Sequence, residues 1–560
     1  MARRIRWQIV VAVLSSLVIV VLLGHLALAT ADEGGPEAGG TYIEALVGVP
    51  QRINPLRASL ANQPESDLSG LIFEGLTRAA PDGRPLAALA ESWEQSADGQ
   101  VYTFTLRTNV VWHDGHPFGP ADVVFTYQAL ADPELTEDPA LQSFWRNVLV
   151  DQLDSRRIRF RLAAPFAPFL NQTTVGILPA HLLKDRGPEV WKNFERQPIG
   201  TGPYRLVEIT ESQAILKVNA DYYDPVAPYL DQIIFRFYPS LAEAHAALVR
   251  NEAHGLGYNV TEIGELSLPP RFERFRAPLA GYTLLSFNLR QPLLSDLNVR
   301  QALAFGLDKD QLIKHALKGL ALRLDLPILN SSWGGAPSLG WYPPAADEAR
   351  RLLAAAGWQP GPDGILRKDG QPLHLPLLTT AAQDRIAAAQ EIARQWRVLG
   401  ILVEIQQVNA DELRQRLTQH DFTIALHGWA RLGSDPDIYE FWHSSQVEAN
   451  NVAGLVDEEL DRLLASARRI ARLEDRAALY RQALKRWSDL APSIMLYQPL
   501  YEQMVASEVN LVGLTRKGID APVLYSPEDR FRFLTTGWYL SKSRKIRTDL
   551  RNTLEEQRPR

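Results

Sequence analysis

Val111 to Leu130 reads VWHDGHPFGPADVVFTYQAL and sets His113, Asp114 and His116 within four positions. Three readings compete: a metal site, catalytic groups, or an element of the fold. A metal needs three or four converging ligands. Asp114-Gly115 suits a tight turn with positive φ, which sends the neighbouring side chains in different directions, and no other His stands nearby in sequence. Catalysis needs a nucleophile, a base and an orienting group, and no recognisable set is present. The flanks favour the third reading. Tyr102, Phe104 and Leu106 alternate with Thr103, Thr105 and Arg107, the pattern of a half-buried strand. A second apolar run covers Val110 to Trp112. Gly119-Pro120 ends it, with Pro120 suited to a first helical position. Val123, Val124, Tyr127 and Leu130 then recur at helical spacing. The stretch reads as strand, turn and helix entry.

The chain has 560 residues, and single cores stop growing at roughly 250–300, so at least two lobes are expected. A formal net charge of -6 is too mild to call for a nucleic-acid partner. The absence of cysteine excludes disulfides, thiolate metal sites, a Cys nucleophile and the lipid-bearing Cys of a bacterial lipoprotein. At the start, Arg3, Arg4 and Arg6 precede an apolar run from Ile9 to Leu23 and the small-residue triplets Ala27-Leu28-Ala29 and Ala29-Thr30-Ala31. This is the order of a secretory signal, expected over 1–31. The alternative is an uncleaved anchor, since Trp7 to Ala31 is long enough to cross about 30 Å of hydrocarbon. Either reading places the rest outside the cytoplasm. The tail 541–560 carries seven basic and three acidic residues and reads as solvated.

Further along, Asn298 to Leu317 has helical spacing, with Asp308 and Gln311 set as a capping box. DEARRLLAAAGW is a helix closed by Gly357. LHLPLLT is a strand, Ala381 to Leu399 a helix stopped by Gly400, ILVEIQQV a strand, Asp411 to Gln419 a helix, and DFTIALHGW a strand. Alternating strands and helices imply βαβ units and a largely parallel sheet. Ligands of such sheets bind beyond the carboxyl ends of strands. Here that end is Gly428-Trp429-Ala430-Arg431.

The residues from Leu71 to Leu130 resemble the solute-binding proteins of family 5, the extracytoplasmic receptors of ABC importers. Val111 to Phe118 fits the family's W-x-D-G-x-P-F signature, which the resemblance assigns to the fold. PIGTGPYRLVE (198–208), LSFNLRQPLLSDLNVRQALAFGLDKDQLI and the later helices continue the likeness in order. The resemblance implies an α/β, two-lobed periplasmic-binding-protein-like fold of type II, with an extra subdomain in the first lobe and a hinge between lobes. The implied division is lobe I over 41–287 with an insert at about 75–198, lobe II over 288–497, and a return to lobe I over 498–535.

It also implies a receptor with no catalytic residue, cofactor or metal. Such a receptor captures a small solute, foremost a peptide, as a monomer and delivers it to an ABC permease and its ATPase. In the peptide-binding members a G-W-x-x-D strand lines the cleft. Its Trp packs on the ligand and its Asp takes the ammonium. This chain keeps Trp429, followed by Ala430 and Arg431, but has Leu432 in the Asp place. Asp435 or Asp437 could substitute, although Asp435-Pro436-Asp437 also reads as a turn. Arg431 suits an anionic or hydrogen-bond-accepting group. Tyr439, Trp333, Trp341, Trp358 and Trp442 are aromatic candidates that suit peptide side chains or sugar rings. The segment GVPQRINPL matches the family's first strand and ligand loop, making Pro50, Gln51, Arg52, Ile53 and Asn54 candidates. An oligosaccharide or other non-peptide ligand, a sensing role, and a secreted hydrolase are the alternatives. No H-E-x-x-H or G-x-S-x-G motif supports the last.

Overall fold

The computed structural model describes residues 15–22, 39–57, 62–136, 139–224, 228–336, 339, 342–430, 432–510, 521, 523–525, 529 and 538–540. The expected leader falls mostly outside them. Within it 15–22 is helical, and no helix among the described residues is long and apolar enough to cross a membrane. The tail 541–560 and Trp341 also lie outside the described residues.

The first lobe is built on Thr41–Val47, which runs parallel to Gln232–Tyr238 and to Gly255–Asn259. Gln213–Val218 and Tyr204–Ile209 extend that sheet antiparallel. In the second lobe His374–Thr380 pairs in parallel with Leu402–Val408 and with Ile424–Trp429, the βαβ arrangement that the alternation of elements implied. Tyr282–Phe287 lies antiparallel to Ile424–Trp429. All six of its residues are buried, as a central strand covered on both faces requires.

One strand joins the two sheets. Ser493–Ala506 pairs with Tyr282–Phe287 through Ser493 to Tyr497, and with Gly255–Asn259 and Phe272–Pro278 through Leu500 to Ala506. The other crossing is short. Phe272–Pro278 leads through Leu279, Ala280 and Gly281 into Tyr282–Phe287. That last strand packs into the two cores of the second lobe. The crossover therefore sits at 279–281, because the apolar side chains from Tyr282 onward are buried there.

The opening stretch follows Val101–Leu106, a strand of an antiparallel four-stranded sheet ordered Ala90–Gln95, Val101–Leu106, Arg157–Leu162, Val148–Gln152, and in place of the expected strand at Val110–Trp112 it makes an isolated bridge of Val111 with Pro117. Gly115 takes a φ of 84° in the turn, and the helix Pro120–Leu130 follows. Asp122, 5% exposed, accepts from Gly119 N at 3.0 Å, Ala180 N at 2.9 Å and the Trp112 indole at 3.3 Å. His113 docks on the segment 200–202. Its Nδ1 accepts from Gly200 N at 3.2 Å, and its Nε2 lies 2.9 Å from the Gly202 carbonyl. Gly200 and Gly202 are needed because a Cβ would sit 1.8 Å from Ile72 O and 2.4 Å from Leu71 O. The fold also brings His181, distant in sequence, to Asp114 at 2.8 Å, and stacks its ring on His116 at 4.1 Å. Among the described residues no group of three such side chains is arranged to hold a metal ion.

Two outcomes follow from this wiring. Asp122→Ala strands three buried donors and should lower stability by about 1–3 kcal/mol, read as a shifted urea midpoint. Burial pushes His113 down to about 4. The unfolded imidazole takes its proton near 6.5, so unfolding binds a proton in between. The stability this group gives is present above pH 6.5 and is lost as pH falls toward 4. His113→Asn should flatten the fall in melting temperature over that window.

Candidate functional site

The carboxyl end of Ile424–Trp429 abuts the crossover. Tyr282 pairs with Trp429, and a Cβ on Gly281 would stand 2.6 Å from the Trp429 carbonyl. Leu432 N donates to Ala280 O at 2.8 Å, so the segment after the strand is tied to the hinge through backbone. Trp429 is half-buried with its ring 4.7 Å from Phe441. Ala430 is exposed and Arg431 lies outside the described residues.

Both candidate carboxylates already have cationic partners. Asp435 receives Arg476 at two oxygens, 2.8 and 2.7 Å, with side chains 8% and 2% exposed. Arg476 also donates to Tyr480 Oη at 3.0 Å and Ala467 O at 3.1 Å, and its guanidinium lies 5.0 Å from the Trp333 ring. Asp437 receives Arg468 Nε at 2.6 Å and caps Tyr439 N at 3.1 Å. Arg468 in turn covers the Tyr439 ring at 3.8 Å. Tyr439 stacks on His443 at 4.0 Å and hydrogen-bonds Ser445. The Asp-Pro-Asp segment is thus held by two arginines that stand 41 and 31 residues further on.

The same segment meets the first lobe. Trp333 N donates to Asp82 O at 3.0 Å, and Ala167 N to Arg468 O at 2.6 Å. Asn171 hydrogen-bonds Ser434. Gly83 packs so closely that a Cβ would stand 2.1 Å from Ser434 O and 2.7 Å from Tyr525 Oη. Behind this contact lies a cavity lined by Ile328, Leu329, Ser332, Leu432–Ile438, Phe441 and Tyr525, with about 40 Å³ of free space.

The first-lobe candidates split by burial. Gln51 and Arg52 line a separate concavity of about 450 Å³, together with Val47, Val49, Asn62 and Gln63. Their backbone N–H groups donate to Glu65 at 2.9 and 3.1 Å. Pro50 is half-buried. Ile53 and Asn54 are 1% and 0% exposed; Asn54 bonds Glu195 at 3.0 Å and caps Leu56 N. These two residues hold the loop from within. Trp358 and Trp442 are core residues. The site residues that sequence reading missed are Arg476, Arg468, Ser332, Tyr525 and Glu65, since their pairings are long-range and leave no local motif.

The family model for bacterial extracellular solute-binding proteins, family 5, middle, matches residues 84–451. The chain is 26% identical over 503 residues to the oligopeptide-binding protein AppA of Bacillus subtilis, covering 86% of this chain and 90% of that protein. It is similar to NikZ of Campylobacter jejuni in complex with Ni(L-His), at 26% identity and a TM-score of 0.68, covering 89% and 99% of the two chains. It also shares the fold of the ABC transporter substrate-binding protein CtaP of Listeria monocytogenes, at 22% identity and a TM-score of 0.76, covering 90% and 100%.

Removing one partner of a buried ion pair leaves an uncompensated charge. Asp435→Asn should cost about 3–5 kcal/mol in urea denaturation, whereas Asp435→Leu with Arg476→Met should restore most of it.

Proposed function

Because this chain belongs to the bacterial extracellular solute-binding proteins of family 5, we propose that it captures a peptide-like solute between its lobes and delivers it to an ABC permease. The observation that carries this reading is the cavity at the carboxyl end of Ile424–Trp429, closed by the first-lobe turn at Asp82–Gly83 and beside the crossover. A receptor built this way works by population shift: the ligand favours the closed lobes in proportion to what it gains from both. The permease reads the closed form.

The peptide assignment draws support from the near full-length likeness to an oligopeptide-binding protein. Trp429 and Phe441 supply an aromatic wall, while Gln51 and Arg52 line the separate first-lobe concavity. A small metal complex is the second reading, favoured by the likeness to NikZ bound to Ni(L-His). In either case the protein binds without converting its ligand, acts as a monomer outside the cytoplasm, and needs no cofactor.

Thermal melting with a pool of short peptides tests this. A ligand that binds only the native state adds about 2.7 kcal/mol at a hundredfold excess over its Kd. We expect the midpoint to rise with peptides and the peptides to be recovered intact by mass spectrometry. A rise only with nickel–histidine would select the second reading, and peptide cleavage would overturn the receptor role.

A further inference from the structure

The cavity behind the interlobe contact has an unusual electrostatic make-up. Two of its lining residues are carboxylates, yet each is committed: Asp435 to Arg476 at two oxygens, Asp437 to Arg468 at 2.6 Å. Across the lobe contact, Asp82 receives Arg84 at 2.7 Å through its side chain and at 3.1 Å through backbone. Asp529 also has a partner of its own. Each described carboxylate near this cavity is therefore already engaged by a partner.

Against that saturated background stand two unsatisfied hydroxyls. Ser332 Oγ and Tyr525 Oη both belong to lining residues, are shielded from solvent and have no hydrogen-bond partner. Buried polar atoms are nearly always paired, so two orphans in one small cavity mark a place for a partner. Burial pushes the Tyr525 phenol up, which keeps it a neutral donor. The remaining wall is mostly apolar, with Ile328, Leu329, Leu432, Ile438 and Phe441 beside Ser434, whose hydroxyl oxygen accepts from Asn171.

We propose that this cavity receives an uncharged hydrogen-bonding end group of the ligand, such as an acylated amine or a primary amide, held by Ser332 and Tyr525, and that it discriminates against a free ammonium. The physical ground is the cost of desolvating a cation. An ammonium buried here would find two hydroxyls and no free anion, and unbalanced burial of one ion costs several kcal/mol. An amide or acyl carbonyl pays far less, and two hydroxyls can satisfy it. The proposal rests on the peptide-receptor reading above.

The test is titration calorimetry of the full-length protein with a pool of four-residue peptides bearing free amines, and with the same pool after N-acetylation. The acetylated pool should bind at least about tenfold more tightly. Tyr525→Phe and Ser332→Ala, each nearly isosteric, should each weaken the acetylated pool about fivefold and leave the melting temperature near that of the parent. Tighter binding of the free-amine pool, or acetylated binding that neither variant changes, would overturn the end-group assignment while leaving the peptide receptor standing. Failure of both pools to bind a protein with normal circular dichroism would overturn the peptide reading and this assignment with it.

Discussion

The strand Ser493–Ala506 has to satisfy two sheets at once, and much of the molecule is arranged around that demand. Fourteen residues run through both lobes, and thirteen of them are buried. Most polar side chains on a buried strand need partners. Glu502, 0% exposed, receives the Tyr258 hydroxyl at 2.7 Å and Arg276 Nε at 2.9 Å. Gln503 donates to Glu44 at 3.1 Å, and Gln498 to Leu279 O at 2.8 Å. Gly255 and Gly257 keep the neighbouring strand bare, because a Cβ on either would press into Tyr42 or Tyr501. The lobes are thus hinged on a continuous hydrogen-bonded ladder, and Pro499, which lacks an N–H, sits where the pairing passes from one lobe to the other.

How much of this was legible depends on how local its cause is. Gly115, Pro120, Asp308 and Gly400 act through backbone geometry within a few residues, and each stands where the pattern put it. The parallel pairing of His374–Thr380 with its neighbours followed from alternation of elements alone. The core that Tyr282–Phe287 joins was not legible, because a uniformly apolar strand says that it is central but not which core it packs into. The commitments of Asp435 and Asp437 were hidden for a similar reason. An arginine 41 residues away on a later helix has no sequence mark that separates it from the exposed arginines of that segment. His181 beside Asp114 and His116 is the same case in the first lobe.

The Asp435–Arg476 pair explains why the segment after Trp429 keeps one shape. A buried bidentate pair is poor evidence of net stability, since desolvating both ions offsets much of their attraction. What it does supply is direction. The planar fork of Arg476 accepts one orientation of the carboxylate, and the Trp333 and Tyr480 rings fix the fork itself. Pro436 is held against Gly334, where a Cβ would meet it at 2.7 Å. The wall of the cavity is therefore braced from within the second lobe, while the first-lobe turn meets it across the lobe contact.

That division sets the energetics of capture. Peptide and drug-sized ligands occupy roughly 300–1,000 Å³, while about 40 Å³ is free behind Leu432 with the lobes as they stand. For a solute of that size to enter, the contacts of Trp333 with Asp82, Ala167 with Arg468 and Asn171 with Ser434 must part. Each such hydrogen bond contributes about 0.5–1.5 kcal/mol net, so the three together amount to a few kcal/mol. They favour the arrangement in which the lobes meet, and a binding-competent form populated at fraction f weakens apparent affinity by that fraction. The interlobe contacts that make the receptor compact thereby act against its ligand. The balance is recovered only if the ligand, once seated, replaces those contacts from both sides of the cleft.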